Sequence, residues 1–143
     1  MSNEDAVDFE QIEAETELAS PEIFAGNLLD WAVERQASDL FISDGEKSVS
    51  VGIRRLGRVE HVRKLTRDYG RRLQGHVRVL AGGDPGEMLR PTEGRGVTVT
   101  PTGREIDLRL SSMPTLHGQD IAIRLFDPVS GVRSLNELGY DWK

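Results

Sequence analysis

The 143-residue chain contains no cysteine, so it can form neither disulfides nor thiolate metal sites. No apolar run approaches the roughly 18 residues that a membrane-spanning helix needs, and the N-terminal residues lack the pattern of a signal peptide. We therefore expect a cytoplasmic protein with one folded domain.

The net charge of −6 is spread unevenly along the chain. Eight acidic residues precede the first basic residue, Arg35: Glu4, Asp5, Asp8, Glu10, Glu13, Glu15, Glu17 and Glu22. The remaining 16 acidic and 18 basic residues leave a mildly basic body. We predict that residues 1–20 form a disordered acidic tail. A short amphipathic helix over residues 9–18 that docks on a partner is the alternative.

In the first half of the chain, Ser20 is a candidate N-cap, and Pro21 suits the first position of a helix. Apolar residues at helical spacing extend this amphipathic helix to Gln36. A short strand follows over residues 40–42, and a turn over 43–47. Alternating apolar residues over 48–62, interrupted at Gly57, predict one strand or a hairpin.

In the second half, Thr66 begins a helix that runs to about Leu80, with its buried face predicted to carry Tyr69, Leu73 and Val77 as well as Leu80. The glycine-rich residues 81–86 end it. Three strands are predicted over 96–100, 105–111 and 120–126, with a tight turn at 101–103 and a longer connection over 114–118. Strands that follow one another in runs favour a mostly antiparallel sheet, so the predicted class is α+β with two main helices.

The sequence offers little catalytic chemistry of its own. None of the three lysines follows a glycine, so the chain lacks the phosphate-binding loop of nucleotide hydrolases. His61, His76 and His117 are too scattered to suggest a metal site. Ser111 and Ser112 have no recognisable histidine and acid partners. We therefore predict no catalytic residue and no metal ligand.

Basic residues cluster between positions 54 and 78, where only Glu60 and Asp68 interrupt them. The cluster comprises Arg54, Arg55, Arg58, Arg63, Lys64, Arg67, Arg71, Arg72 and Arg78. It fits an ordinary solvated surface, a protein-docking face or a nucleic-acid surface. Nucleic-acid binding is disfavoured, because Tyr69 is the only aromatic residue among them that could stack on a base.

Three arginines in the strand-rich second half, Arg95, Arg109 and Arg124, have a different interpretation. Arg109 and Arg124 each lie between two apolar residues, so each projects from the face opposite the apolar one. They could pair with Glu105 or Asp107 on a solvent face, or they could bind phosphate through the bidentate guanidinium fork. Arg95 lies between two glycines, which would let its backbone approach a ligand closely.

Several motifs carry a family resemblance. They are Ala-Ser-Asp-Leu-Phe-Ile at 37–42, Val-Gly-Ile-Arg-Arg-Leu-Gly at 51–57, Val-Arg-Val-Leu-Ala-Gly at 77–82, Pro-Thr-Glu-Gly-Arg at 91–95 and Asp-Leu-Arg-Leu-Ser-Ser-Met-Pro-Thr-Leu-His-Gly at 107–118. Their order resembles the N-terminal domain that precedes the motor domain in type II secretion and type IV pilus assembly ATPases. The most specific part is the stretch at 111–118 followed by Ile-Arg-Leu-Phe-Asp at 123–127.

The resemblance implies a PAS-like domain over residues 21–140 that packs against ATPase domains in a hexamer. It also implies that arginines of this domain reach the phosphates of ATP held by the motor domain. The motif matches carry that role to Arg95 and Arg109, as arginine fingers. Arg124 falls in the last strand of the resemblance, where a structural role is favoured.

Two departures limit the resemblance. The turn at 55–57 lacks the aspartate usual in the family, and the segment 91–95 has threonine where glutamine is usual. The sequence also ends where the motor domain would begin. We therefore expect no enzyme activity from this chain alone, and ATP with magnesium only together with a partner motor domain. A stand-alone or degenerate adaptor that binds a secretion-system protein, without a role in ATP hydrolysis, is the alternative function.

Overall fold

The computed structural model describes residues 19–127, which form two helices and one sheet. Helix α1 spans Pro21–Glu34 and helix α2 spans Arg67–Leu80. The strands are β1 (Asp39–Asp44), β2 (Ser48–Arg55), β3 (Arg58–Thr66), β4 (Thr92–Val99), β5 (Glu105–Thr115) and β6 (Gly118–Phe126). They form an antiparallel six-stranded sheet in the order β3-β2-β1-β6-β5-β4. The predicted α+β class is confirmed.

Parts of the predicted domain boundaries fall outside this range. Of the predicted acidic tail only Ala19 and Ser20 lie within it, and residues 128–140 of the predicted domain lie beyond it. The predictions for those two segments therefore stay predictions.

Both helices begin at the caps that the sequence predicts. The hydroxyl oxygen of Ser20 accepts a hydrogen bond from the backbone N–H of Ile23 at 3.3 Å. The hydroxyl of Thr66 does the same for the N–H of Tyr69, also at 3.3 Å. Each cap satisfies one of the N–H groups that a helix start leaves unpaired. Helix α1 ends earlier than predicted, at Glu34, because Gln36 adopts a left-handed φ of 59°.

The core lies between the two helices and one face of the sheet. Alternate strand residues such as Ile42, Ile53 and Leu108 are fully buried against Phe24 of α1 and Leu73 of α2. Neither helix covers the opposite face, which we call the open face; its side chains alternate with the buried ones along each strand. On the predicted inner side of α2, Val77 is also buried, while Tyr69 and Leu80 are partly buried.

The turns agree with the sequence in one hairpin and differ in another. Strands β2 and β3 form a hairpin, the second of the two predicted alternatives, with Leu56 and Gly57 at positive φ values of 52° and 77° in its tight turn. The prediction of a longer connection over 114–118 is wrong: β5 and β6 stay paired up to Thr115 and Gly118, which leaves only two turn residues. Strand β4 likewise begins at Thr92, earlier than the predicted Gly96, although Gly94 and Gly96 carry no side chain to pack.

One residue of the predicted basic cluster is not on the surface. Arg78, on α2, is 2% exposed. Its guanidinium donates hydrogen bonds to the hydroxyls of Thr92 (2.9 Å) and Ser112 (3.0 Å) and to the side-chain carbonyl of Gln119. Burial lowers the pKa of Arg78. Because its three acceptors come from β4, β5 and β6, this side chain ties helix α2 to that half of the sheet.

Candidate functional site: an arginine row on the open face

The strand register brings the three predicted site arginines together. Arg95 on β4 lies directly opposite Arg109 on β5, and Arg109 lies directly opposite Arg124 on β6. The same line continues to Asp39 on β1 and Arg54 on β2. We call these five residues the arginine row. Adjacent strands are about 4.8 Å apart, so neighbouring members of the row are within side-chain contact range.

Arg95 is held by a carboxylate of the neighbouring strand. Its Nη2 lies 3.0 Å from Oδ2 of Asp107, and its Nε donates to Oδ1 of the same residue at 3.4 Å. This hydrogen-bonded ion pair raises the pKa of Arg95. The Arg95 side chain is nevertheless 64% exposed, and solvent screening makes an ion pair this exposed weak. An incoming anion could therefore replace Asp107 at small cost.

Asp39 lies between two other arginines of the row. One of its oxygens is 3.3 Å from Nε of Arg124, and the other is 3.6 Å from Nε of Arg54. The Asp39 side chain is only 10% exposed, whereas that of Arg124 is 65% exposed. The carboxylate thus lies below two guanidiniums, where it offsets part of their mutual repulsion and holds them in place.

Arg109, at the centre of the three predicted arginines, has no carboxylate partner among residues 19–127. Its guanidinium instead lies over the ring of Phe126, 5.1 Å from the ring centroid. A cation–π contact of this kind orients a guanidinium without neutralising it. Arg109 therefore offers a positioned and uncompensated positive charge, flanked on both sides by arginines that are already paired.

Four members of the arginine row, all except Arg54, line a shallow groove with a volume of about 380 Å³. Arg95, Arg109 and Arg124 line it together with Asp39 and Glu93. Guanidinium forks match the oxygens of a phosphate or carboxylate in bidentate geometry. The groove can thus bind one anionic group. Arg109 can contact that group without first releasing a carboxylate, as Arg95 and Arg124 would have to do.

A second, more apolar groove of about 530 Å³ adjoins the row on the same face. Phe41, Val59, Met113 and Ala122 contribute to its lining, and Arg54 forms part of its border with the row. Val59 and Met113 are 62% and 55% exposed. Exposed apolar side chains next to arginines are typical of the centre of a protein interface.

The sequence located the arginines but not the complete row. Strand alternation placed Arg109 and Arg124 on one face, whereas the family resemblance favoured a structural role for Arg124, which lines the same groove as Arg109. Pairing of Arg109 with Asp107 was one prediction, and that prediction is wrong: Asp107 pairs with Arg95. Asp39 was missed as a member. The predicted strand began one residue later, at Leu40, and the register that aligns Asp39 with Arg124 was not visible in the sequence.

Two general features of the described residues bear on the class of site. Neither helix of residues 19–127 combines the length and the apolar composition that a membrane crossing requires. Within the same residues, no group of three histidine, aspartate or glutamate side chains is arranged to hold a metal ion.

Comparison with known proteins agrees with the motif resemblance. The family model described as "Type II/IV secretion system protein" matches residues 14–143. The type IV pilus assembly ATPase TfpB of Acinetobacter baylyi is 32% identical over 118 residues, which is 80% of this chain and 20% of that protein. The type II secretion system ATPase E of Vibrio cholerae is 33% identical over 112 residues, or 78% of this chain and 22% of that protein.

A third relative, the type IV pilus assembly ATPase PilB of Pseudomonas aeruginosa, is 30% identical over 132 residues, covering 92% of this chain and 23% of that protein. The chain thus spans about a fifth of the length of the curated relatives that it matches. Since the family model covers most of the sequence, this chain belongs to the family of type II/IV secretion system proteins.

Proposed function

We propose that this domain docks on the motor domain of a secretion or pilus assembly ATPase through its open face, and that it contributes arginines to the phosphates of bound ATP. The observation that carries the proposal is the arginine row, in which three arginines from adjacent strands line one groove. An arginine delivered to a transferring phosphoryl group stabilises the negative charge of the transition state.

The geometry ranks the three arginines. Arg109 comes first, because it has no acid partner within the part of the chain that the structure describes and is oriented by Phe126. Arg124 comes second, since it shares Asp39 with Arg54. Arg95 comes third, because it must leave Asp107 before it can bind another anion.

The apolar groove next to the row supports docking by the same face. An apolar side chain of the partner that enters beside Phe41 would bury the exposed Val59 and Met113. Burial of apolar surface stabilises association, whereas the arginine row supplies charge specificity.

The test uses the ATPase that co-purifies with this chain from its own cells. We expect the purified chain alone to show no ATP hydrolysis, and we expect it to stimulate the purified ATPase. Arg109→Ala should lower the stimulated rate by about 10³-fold, the lower end of the effect of an arginine finger, followed by Arg124→Ala and then Arg95→Ala. Arg58→Ala, which removes an exposed arginine outside the row, is the matched control and should leave the rate unchanged.

The outcomes separate the two functions that the sequence left open. If the variants still bind the ATPase but hydrolysis falls in the expected order, the phosphate role is supported. If the chain binds a secretion-system protein and none of the three variants alters hydrolysis, the adaptor function replaces it.

A further inference from the structure

The two edges of the sheet differ in how well they are protected from pairing with another strand. Strand β3, at one edge, has a β-bulge at Val62, where its pairing with β2 skips one residue. It also carries four charged side chains, those of Arg58, Glu60, Arg63 and Lys64. Bulges and charges of this kind hinder the addition of a further strand. The edge at β3 is therefore protected.

Strand β4, at the other edge, is covered only in part. The backbone N–H of Arg95 points away from β5 and donates to the carbonyl oxygen of Ala81, the residue after α2, at 3.0 Å. Alternate residues of a strand direct their N–H and C=O groups to the same side. The backbone groups of Val97 and Val99 therefore also point outward, away from β5.

The segment Val97–Val99 has none of the features that protect β3. Its register with β5 is continuous, and it contains neither proline nor a charged residue. Among residues 19–127, the outward backbone groups of Val97 and Val99 have no hydrogen-bond partner. Their side chains are 58% and 68% exposed on the open face. β-Branched residues at an unprotected edge favour the addition of another strand.

This segment is complementary to a second copy of itself. In an antiparallel pair with Thr98 opposite Thr98 of the second copy, Val97 of each copy lies opposite Val99 of the other. Each such pair can exchange two backbone hydrogen bonds, since both residues direct their N–H and C=O groups outward. The valines then contact one another on the open face and the threonines on the opposite face. Both kinds of contact are favourable between neighbouring strands.

The surroundings of β4 favour this register over the two nearest alternatives. With Val97 opposite Val97, the second copy would have to pair with Arg95, whose N–H already donates to Ala81. With Val99 opposite Val99, Val97 would face Pro101, which has no N–H to donate. The register centred on Thr98 uses both outward N–H groups of each copy.

We propose that two copies of this chain associate by antiparallel pairing of Val97–Val99, which joins their six-stranded sheets into one. The two-fold axis of such a pair is perpendicular to the sheet, so both open faces point to the same side. The two arginine rows are then presented together to one partner surface. The pairing uses backbone groups of β4 and no guanidinium, so it does not rest on the proposed phosphate role.

Hydrogen exchange in the full-length chain tests the pairing at single residues. The amides of Val97 and Val99 should exchange about fivefold more slowly when the protein concentration rises from about 10 μM to about 1 mM, for a weak dimer with a Kd of about 100 μM. The amide of Glu93 also points outward but lies outside the paired segment, so its exchange should not change with concentration.

Two variants remove the pairing by different means, and sedimentation velocity measures the result. Val97→Pro removes an outward N–H that one copy alone does not use, so the chain should stay folded and lose its association. Val99→Lys keeps the backbone and places a charge at the edge, which should raise the Kd by about tenfold or more. Val79→Lys, at an exposed position of α2, is the matched control and should leave the Kd unchanged. Thermal unfolding checks that each variant is folded.

Several results would overturn the proposal. The chain could stay monomeric at about 1 mM, or the association could persist in both edge variants. Protection of the two amides that does not depend on concentration would place another segment of the same chain at this edge. Protection that requires the purified ATPase would assign the edge to a strand of that protein.

Discussion

On the helix-covered face of the sheet, Arg78 is buried and donates to three uncharged acceptors. On the open face, Arg109 is exposed and its guanidinium lies against an aromatic ring. The guanidinium of Arg78 is enclosed by its own domain, and its hydrogen bonds attach α2 to the sheet. Arg109 keeps its hydrogen-bond donors available. An arginine side chain therefore stabilises the fold where the domain provides its acceptors, and it is available to bind a ligand where the domain provides none.

The largest expected effect on stability is the removal of the buried arginine. Arg78→Ala leaves the carbonyl of Gln119 and the hydroxyls of Thr92 and Ser112 without their donor inside the protein. Buried acceptors that lose a partner cost about 1–3 kcal/mol each, and here the two hydroxyls still bond each other at 2.5 Å. We expect the free energy of unfolding to fall by about 3 kcal/mol, measured by urea denaturation.

Arg109→Ala is the matched control on the open face. Exposed substitutions usually change the free energy of unfolding by no more than about 0.5 kcal/mol. Equal losses for the two variants would contradict the contrast between the faces. A large loss for Arg109→Ala alone would assign Arg109 a structural role and weaken the proposed phosphate contact.

The contrast between the faces also shows what the sequence could predict. The caps at Ser20 and Thr66 and the strand alternation were visible, because they depend on residues a few positions apart. Alternation placed Arg109 and Arg124 on a polar face. The alignment of Arg95, Arg109, Arg124 and Asp39 depends on register between strands, which a single sequence does not encode in local spacing.

Arg78, on the helix-covered face, also shows that contacts between residues distant in the chain cannot be inferred from local spacing. In the sequence it is one of nine basic residues between positions 54 and 78, and nothing in its spacing distinguishes it from Arg71 or Arg72. It is buried because Thr92, Ser112 and Gln119, all distant in the chain, supply acceptors. Long-range polar partners override the general preference of arginine for the surface.

A smaller loss of stability is expected when a side chain is added at Gly96, where α2 closely approaches β4 on the helix-covered face. A Cβ at Gly96 would lie well inside van der Waals contact with the carbonyl oxygen of Leu80 and 2.9 Å from its carbon. Both atoms belong to the backbone, so they cannot rotate away. We expect Gly96→Ala to destabilise the domain by about 2 kcal/mol in thermal or urea unfolding.

Gly75→Ala, within α2, is the control for this substitution. A Cβ there would meet Pro85 at 3.5 Å, an ordinary contact. Alanine in a helix interior is favoured over glycine, so this variant should gain about 0.5–1 kcal/mol. If both variants lost stability equally, the close approach at β4 would not explain the result for Gly96.

The last prediction concerns the pH dependence of stability. It tests whether burial beneath the helices disfavours ionisation of the Tyr69 side chain, in contrast to the exposed charged groups of the open face. Tyr69 packs edge-on against Phe24 with ring centroids 6.0 Å apart, and burial raises the pKa of its phenol to about 12. In the unfolded chain the phenol ionises near pH 10. Between these values the folded state binds the proton more tightly, so stability falls as the pH rises from about 10 to about 12.

The tyrosinate absorbance of wild type minus that of Tyr69→Phe isolates this group from Tyr140. A difference curve with its midpoint near pH 10 would show that the phenol is solvated and that burial beside the helices does not raise its pKa.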